Sequence, residues 1–187
     1  MCYFPLQHIY VDLYGPMSIT SHSGNFYLMN VIDDYISYVW SLPLKLKLDA
    51  SIVFQKWQHR IKNQFGHKLK ILTTNNGKLI SNSMKDWCST NDINHQRTAP
   101  YMSAQNGHAK CFHCMILGCA RSMCLVCNAP ASLWDEFCAT AAYLANFTAS
   151  LSLNGKTAHE LWFETMLSLT HLCEIGCHTF SNKRGYG

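Results

Sequence analysis

The chain has 187 residues, 48% of them hydrophobic, and a formal net charge of +4. This length suits one domain with a buried core, and leaves room for a second domain only if it is small. Charged residues make up 14% of the chain, well below the usual value of about a quarter. The weak basic excess therefore permits a nucleic-acid partner without requiring one.

The first part of the chain predicts an antiparallel meander. Apolar and polar side chains alternate over residues 7–14, which predicts a strand with Asp12 near its carboxyl end. Two further segments, 26–33 and 35–44, are rich in β-forming residues and are separated by a turn at Asp33-Asp34.

The remainder of the chain predicts helices that alternate with short strands. Apolar residues recur every three or four positions over 49–65, and Gly66 is placed to end that helix. The later predicted elements are a strand at 69–73, a helix at 81–89, a strand at 93–96, and helices at 109–126, 130–147 and 157–164. This order describes an α/β fold with a mixed five-stranded sheet flanked by helices.

Ten cysteines are present, but the first residues do not have the charge and apolar run of a secretory signal. No uninterrupted apolar run approaches the roughly 18–20 residues that cross a membrane. We therefore expect an intracellular protein with reduced thiols and no membrane partner.

Short motifs occur from about residue 6 to about residue 180. The most informative are HIYVDLYGPM (8–17), VIDDYISYVWSLPLKLKLDA (31–50), NNGKLI (75–80), HQRTAPYMSAQNGHAK (95–110) and GKTAHELW (155–162). In order and spacing they resemble the integrase catalytic core of copia-type LTR retrotransposons. On this basis we assign 6–150 to a catalytic core and 151–187 to a partly irregular extension of it.

The resemblance implies a ribonuclease H-like fold and a polynucleotidyl transferase that joins retroelement DNA ends to target DNA. It also implies a nuclear location, a tendency to form homo-oligomers, and two Mg²⁺ or Mn²⁺ ions held by two Asp and one Glu. Two such ions activate the attacking oxygen and stabilise the leaving oxygen. Because Mg²⁺ prefers hard oxygen ligands, carboxylates are what this chemistry needs.

Only one of the three acidic positions implied by the resemblance is acidic here. The first Asp matches Asp12, the second falls on Asn75, and the Glu falls on Lys110, 35 residues later. A cation at Lys110 would repel Mg²⁺, so we expect weak metal binding at Asp12 and little or no catalysis. Asp33 and Asp34 could act as substitute acids, although a hairpin turn with solvated carboxylates is the favoured interpretation.

The resemblance places DNA contacts in the loop before Lys110 and at Lys110 itself, with Tyr101, Gln105, Asn106 and Gly107 as the loop residues. A loose basic set surrounds the first helix and the fourth strand. It could contact phosphates, or it could be an ordinary solvated face. This set consists of Lys45, Lys47, Lys56, Arg60, Lys62, Lys68 and Lys70.

Two cysteine pairs, Cys111 with Cys114 and Cys124 with Cys127, have the spacing of a zinc site. They fall on one predicted helix, where Cys114 and Cys124 would be about 15 Å apart along the axis. Four thiolates cannot then surround one ion, so we do not expect zinc there. His8, His95 and His108 could bind a metal ion, but a lone histidine at a strand end is more often structural, and that is the favoured interpretation.

The departures from the family pattern share a direction. Lysine for glutamate, asparagine for aspartate and cysteine for arginine can each arise from a single C-to-T or G-to-A transition. We therefore interpret the chain as a degenerate copy of an integrase core. The alternative is a non-catalytic module that keeps the fold and binds DNA or protein.

Overall fold

The computed structural model describes residues 2–75, 81–97, 107–166 and 168–177. The strands are β1 (His8–Tyr14), β2 (Tyr27–Asp33), β3 (Val39–Leu44), β4 (Ile71–Thr74) and β5 (Asn94–Arg97). The α-helices are α1 (Ala50–Phe65), α2 (Asn82–Thr90), α3 (Gly107–Val126), α4 (Trp134–Asn146) and α5 (Ala158–Phe163).

The five strands form one mixed sheet in the order β3-β2-β1-β4-β5. The predicted meander is confirmed, because β1 pairs antiparallel with β2 and β2 pairs antiparallel with β3. Strand β4 lies parallel to β1 on its other side, and β5 lies parallel to β4. The carboxyl ends of β1 and β4 therefore meet at one edge of the sheet.

Alternation along β1 decides which side chains face which helices. Ile9 and Val11 join the apolar cluster on the α1 side of the sheet, together with Phe54 and Trp57 of α1. Tyr10 packs on the opposite side. This second cluster joins β2 and β3 to α3 and α4 and contains Leu28, Ile32, Val39, Ala109, Ile116, Ala120, Cys138, Ala141 and Ala142. The sheet is thus covered on both faces, and Asp12 belongs to the α3 side.

The predicted helices are confirmed within about two residues except at the start of α4, which begins at Trp134 after a short 3-10 helix, four residues later than predicted. Gly66 ends α1 with a φ of 71°. The third strand was predicted too long, since it begins at Val39. The side chain of Asp33 explains the difference. It accepts hydrogen bonds from the backbone N–H groups of Tyr35 and Ile36, which fixes a turn there in place of extended chain.

The residues assigned to the C-terminal extension contribute to the core. Trp162 of α5 is 7% exposed. Its ring lies 5.1 Å from that of Trp40, 5.3 Å from that of Tyr38 and 4.6 Å from that of Phe65, measured between centroids. Rings at these distances contribute packing energy as well as buried area. Helix α5 is therefore held by the same apolar cluster as α1.

The expectation that no segment reaches membrane length needs a correction at α3. Residues Ala109–Val126 form an 18-residue window with a mean hydropathy of 1.3, which is long and apolar enough to cross a membrane by length and composition. One stripe of the same helix, however, is buried against the sheet and α4 through Ile116 and Ala120. We interpret α3 as a covering helix of the domain.

Candidate active site

Asp12 lies near the carboxyl end of β1, between β2 and β4, and is 8% exposed. Across β2 its neighbour is Asn30. On the β4 side, the strand pairing reaches Val11 and Thr74, which places Asn75 beside Asp12. The Asn75 Nδ2 group donates a hydrogen bond of 2.7 Å to Asp12 Oδ1. The structure therefore brings together the first two positions of the predicted triad.

Among the described residues, Lys110 makes no hydrogen bond or ion pair with Asp12 or Asn75. The buried stripe of α3 recurs at helical spacing and includes Ala109, His113 and Ile116. Lys110 follows Ala109 in the sequence, about 100° further around the helix, and is exposed. At the position that the resemblance gives to Glu, the chain thus presents a solvated cation.

The buried neighbour that α3 does contribute is His113, 5% exposed. Its Nδ1 lies 2.8 Å from Asn30 Nδ2, and Asn30 Oδ1 accepts a hydrogen bond from Ser41 Oγ. Since the amide oxygen is used by Ser41, the amide nitrogen donates to His113 Nδ1, which places the imidazole proton on Nε2. That Nε2 atom is buried and has no hydrogen-bond partner among the described residues.

Burial lowers the pKa of His113 below its ordinary value, while the nearby Asp12 carboxylate acts in the opposite direction. The ring is therefore neutral at neutral pH. Sequence reasoning missed this residue. Its position three residues after Lys110, one turn along the same helix, could have indicated that it lies near the site.

The donor set does not fit the pair of Mg²⁺ or Mn²⁺ ions that the resemblance implies. Two ions need several oxygen ligands of high negative charge. Here Asp12 is the one carboxylate in the set, and Asn75 directs its N–H toward the oxygen that an ion would use. The neighbouring His113 is neutral, and Lys110 carries a positive charge. We derive no catalytic step through metal ions at this site.

The favoured interpretation of Asp33 and Asp34 is wrong for Asp33. The hairpin turn is present, but Asp33 is 0% exposed. It accepts hydrogen bonds from the backbone N–H groups of Leu6, Tyr35 and Ile36. Burial raises its pKa to about 6 against the opposing effect of these three donors.

Neither Asp33 nor Asp34 is placed to replace a lost active-site acid. In the pairing of β1 with β2, Asp33 lies opposite Ile9, and Ile9 is three residues before Asp12. At about 3.4 Å per residue this is roughly 10 Å along the strand.

The predicted DNA-contacting loop lies mostly outside the described residues, including Tyr101, Gln105 and Asn106. Gly107 is described and begins α3. Of the loose basic set, Lys56 and Arg60 are exposed on α1, which covers the opposite face of the sheet from Asp12. These two residues therefore do not extend the Asp12 site.

The two cysteine pairs lie as predicted on one continuous helix or directly after it, with Cys111 and Cys114 exposed on α3. Within the described segments, the one group of three or more potential metal ligands is elsewhere, at Cys2, His8 and Asp34.

Comparison with known proteins identifies the family. The model of the integrase core domain matches residues 3–103, more than half of the chain. The chain is 34% identical over 178 residues to the retrovirus-related Pol polyprotein from transposon TNT 1-94 of Nicotiana tabacum, covering 95% of this chain and 13% of that protein. It is 24% identical over 182 residues to the polyprotein from transposon RE1 of Arabidopsis thaliana, covering 97% of this chain and 12% of that protein. The chain thus spans about an eighth of the length of these relatives.

Solved structures agree with the fold. A chain of the simian T-cell lymphotropic virus intasome in complex with PP2A regulatory subunit B56 gamma aligns with a TM-score of 0.67 and 16% identity, over 96% of this chain and 61% of that one. The HTLV-2 integrase catalytic core domain in complex with magnesium (trimeric form) aligns with a TM-score of 0.63 and 18% identity, over 84% of this chain and 97% of that one. At these identities the likeness establishes the ribonuclease H-like fold alone. With the family match over residues 3–103, the conclusion is that this chain belongs to the integrase core domain family.

Proposed function

We propose that this chain is a degenerate copia-type integrase core that retains weak DNA binding and has lost two-metal strand transfer. The observation that supports this most strongly is the Asn75 Nδ2 to Asp12 Oδ1 hydrogen bond of 2.7 Å. An amide that donates to the remaining carboxylate satisfies it in the absence of a cation. The Asp12 carboxylate is then stabilised by an uncharged amide. A metal ion must break this hydrogen bond before it can bind Asp12.

The charge at Lys110 supports the same proposal. Because it is an exposed cation on α3, it opposes a divalent ion near Asp12 and favours a DNA phosphate. The rest of the exposed α3 surface contributes little positive charge. Arg121 is exposed on it, but Cys111, Cys114 and Cys119 are uncharged thiols in their reduced form. Binding to DNA is accordingly weak and dependent on a few phosphate contacts.

DNA ends, homo-oligomers and a nuclear location belong to this proposal as properties of the family. One solved neighbour is a chain of an intasome and another is a trimeric core domain. The second candidate function is a non-catalytic module that binds protein. It is favoured by the apolar residues Met115, Leu125 and Val126 exposed on α3.

Salt-dependent DNA binding tests the proposal. Fluorescence anisotropy with a labelled duplex would compare the natural chain with Lys110→Glu, and with Lys156→Glu as the matched control, since Lys156 is an exposed lysine just before α5. We expect the natural chain to bind, and Lys110→Glu to weaken binding several-fold and to reduce the slope against log salt by about 1.

Lys156→Glu is expected to leave both quantities unchanged. Binding that is absent, or insensitive to salt, would contradict DNA contact and favour the protein-binding module. Equal weakening by the two variants would show that α3 has no special role.

A further inference from the structure

A second set of potential metal ligands lies away from the Asp12 site. It is found where the N-terminal segment meets the turn between β2 and β3. The Cys2 Sγ atom donates a hydrogen bond of 3.1 Å to Asp34 Oδ2. The same carboxylate oxygen is 3.3 Å from His8 Nδ1. The ligand atoms of all three residues lie within 4.8 Å of one another. We propose that Cys2, His8 and Asp34 form a zinc site with a water molecule as the fourth ligand.

The spacing is that of a small tetrahedral ion. Nitrogen and oxygen ligands that are about 2.0–2.1 Å from tetrahedral Zn²⁺ are about 3.3–3.4 Å from each other. The distance of 3.3 Å between His8 Nδ1 and Asp34 Oδ2 meets this value. A thiolate at about 2.3 Å from the ion would be about 3.5 Å from the Asp34 oxygen. The Cys2 Sγ atom must therefore move away from that oxygen by a few tenths of an ångström.

The imidazole of His8 is oriented for ligation by Nδ1. Its other nitrogen, Nε2, lies 2.8 Å from Thr73 Oγ1 on β4. When an ion is bound, a proton on Nε2 that is donated to this hydroxyl leaves the Nδ1 lone pair for the ion. Metal-binding histidines are usually fixed in this way by a partner on the second ring nitrogen.

The backbone holds the three residues together without an ion. The N–H of Asp34 donates to the carbonyl of His8 over 3.0 Å, which fixes these two ligands relative to each other. The segment that carries Cys2 is anchored by Leu6, whose side chain is 3% exposed. The N–H of Leu6 donates to Asp33 Oδ2 over 2.6 Å. The arrangement is therefore preformed and does not depend on metal for its assembly.

The chemistry of the donors selects the ion. One thiolate, one imidazole and one carboxylate suit Zn²⁺ or Co²⁺, whereas Mg²⁺ prefers oxygen ligands alone. Because a thiol binds zinc as the thiolate, zinc displaces the proton that Cys2 donates to Asp34 in the empty site.

This site differs from the paired cysteines of α3, for which zinc was not expected. The sequence did not indicate it, since Cys2, His8 and Asp34 have no regular spacing. They are brought together by the pairing of β1 with β2 and by the return of the N-terminal segment to the turn after β2. The interpretation of His8 as structural is compatible with its contacts to Thr73 and Asp34, and ligation would add a role to it.

Titration with Co²⁺ under reducing conditions tests the site, because a thiolate bound to Co²⁺ gives a charge-transfer band. Cys2→Ser is the decisive variant, as Cys2 is a partly exposed residue of the N-terminal segment. His8→Asn and Asp34→Asn test the other ligands. Cys111→Ser with Cys114→Ser is the matched control for the other thiols.

We expect one Co²⁺ per chain, displaced by one equivalent of Zn²⁺, with the charge-transfer band absent in Cys2→Ser and unchanged in the double control. Affinity in His8→Asn and Asp34→Asn is expected to fall by 10-fold or more. A band that persists in Cys2→Ser, or that is lost in the double control, would overturn the proposal. So would the absence of any band in the natural chain. Circular dichroism shows whether each variant is folded. If His8→Asn is unfolded, the result for Cys2→Ser decides whether the site exists.

Discussion

The contact between Asn75 and Asp12 allows a quantitative prediction for Asn75→Asp. The substitution replaces a hydrogen bond of 2.7 Å to a carboxylate with a second carboxylate at the same place. A hydrogen bond to a charged group contributes about 1.5–3 kcal/mol. Two like charges that separate to about 4 Å repel by about 4 kcal/mol at an effective dielectric constant of 20. Uptake of a proton by one of the two carboxyl groups limits the cost.

We therefore expect Asn75→Asp to lower the free energy of unfolding by about 2–4 kcal/mol in EDTA. Millimolar Mg²⁺ or Mn²⁺ should recover a large part of this loss, because an ion between the two carboxylates turns repulsion into attraction. The natural chain should respond little to the same ions, since Asn75 already satisfies Asp12.

Urea unfolding with and without Mg²⁺ measures both effects, and Asn75→Ala is the matched control. The control loses the hydrogen bond, about 1.5 kcal/mol, and gains no response to metal. If Asn75→Asp were as stable as the natural chain in EDTA, or if Mg²⁺ stabilised the natural chain equally, the argument for this site would be refuted.

Three further predictions concern the fold. Burial raises the pKa of Asp33 to about 6, so its contribution to stability is fully present below about pH 4 and is lost as the pH rises through 6. Relative to Asp33→Asn, the free energy of unfolding of the natural chain should fall by about 2 kcal/mol between about pH 4.5 and pH 7.5, measured by urea unfolding. A difference between the two proteins that does not change with pH would contradict the buried carboxylate. Asn146 donates to the Val39 carbonyl and accepts from the Val39 N–H, both at 2.8 Å, so Asn146→Ala should lower the free energy of unfolding by about 2–4 kcal/mol. The control Asn82→Ala, at an exposed residue that begins α2, should change it by less than about 0.5 kcal/mol. Trp162→Ala should cost about 3–5 kcal/mol by removing an aromatic ring from the core, and a loss below about 1 kcal/mol would show that α5 is dispensable.

Local patterns in the sequence were sufficient for most of the fold. Alternation over residues 7–14 identified β1 and placed Asp12 on the face opposite Ile9 and Val11, as the structure confirms. The change of period at 49–65 identified α1, and the end at Gly66 follows from its left-handed conformation. These features depend on neighbouring residues, which is why a single sequence predicts them.

Features that depend on contacts between distant segments were not predictable in the same way. Asp33 was expected to be solvated because it sits in a turn, but the N-terminal segment returns over it and Leu6 donates to its carboxylate. The proximity of His113 to Asp12 requires the packing of α3 on β2, including the contact to Asn30 over 83 residues of chain.

The candidate site could be predicted in part. The resemblance placed Asp12 and Asn75 together correctly, and the hydrogen bond between them confirms that proximity. It could not show that the cation at Lys110 is exposed while His113 takes the buried position one turn later. That difference depends on which stripe of α3 faces the sheet, and two polar residues three positions apart do not specify it.

The most direct test of the central claim is a strand-transfer assay with Mg²⁺ or Mn²⁺, comparing the natural chain with Asn75→Asp, Lys110→Glu. Addition of Asp12→Asn to the double variant provides the inactive control. The account predicts that the natural chain is silent, that the double variant joins DNA ends to target in a metal-dependent manner, and that the control abolishes this activity. Metal-dependent joining by the natural chain would contradict the claim that Asn75 and Lys110 have disabled the site.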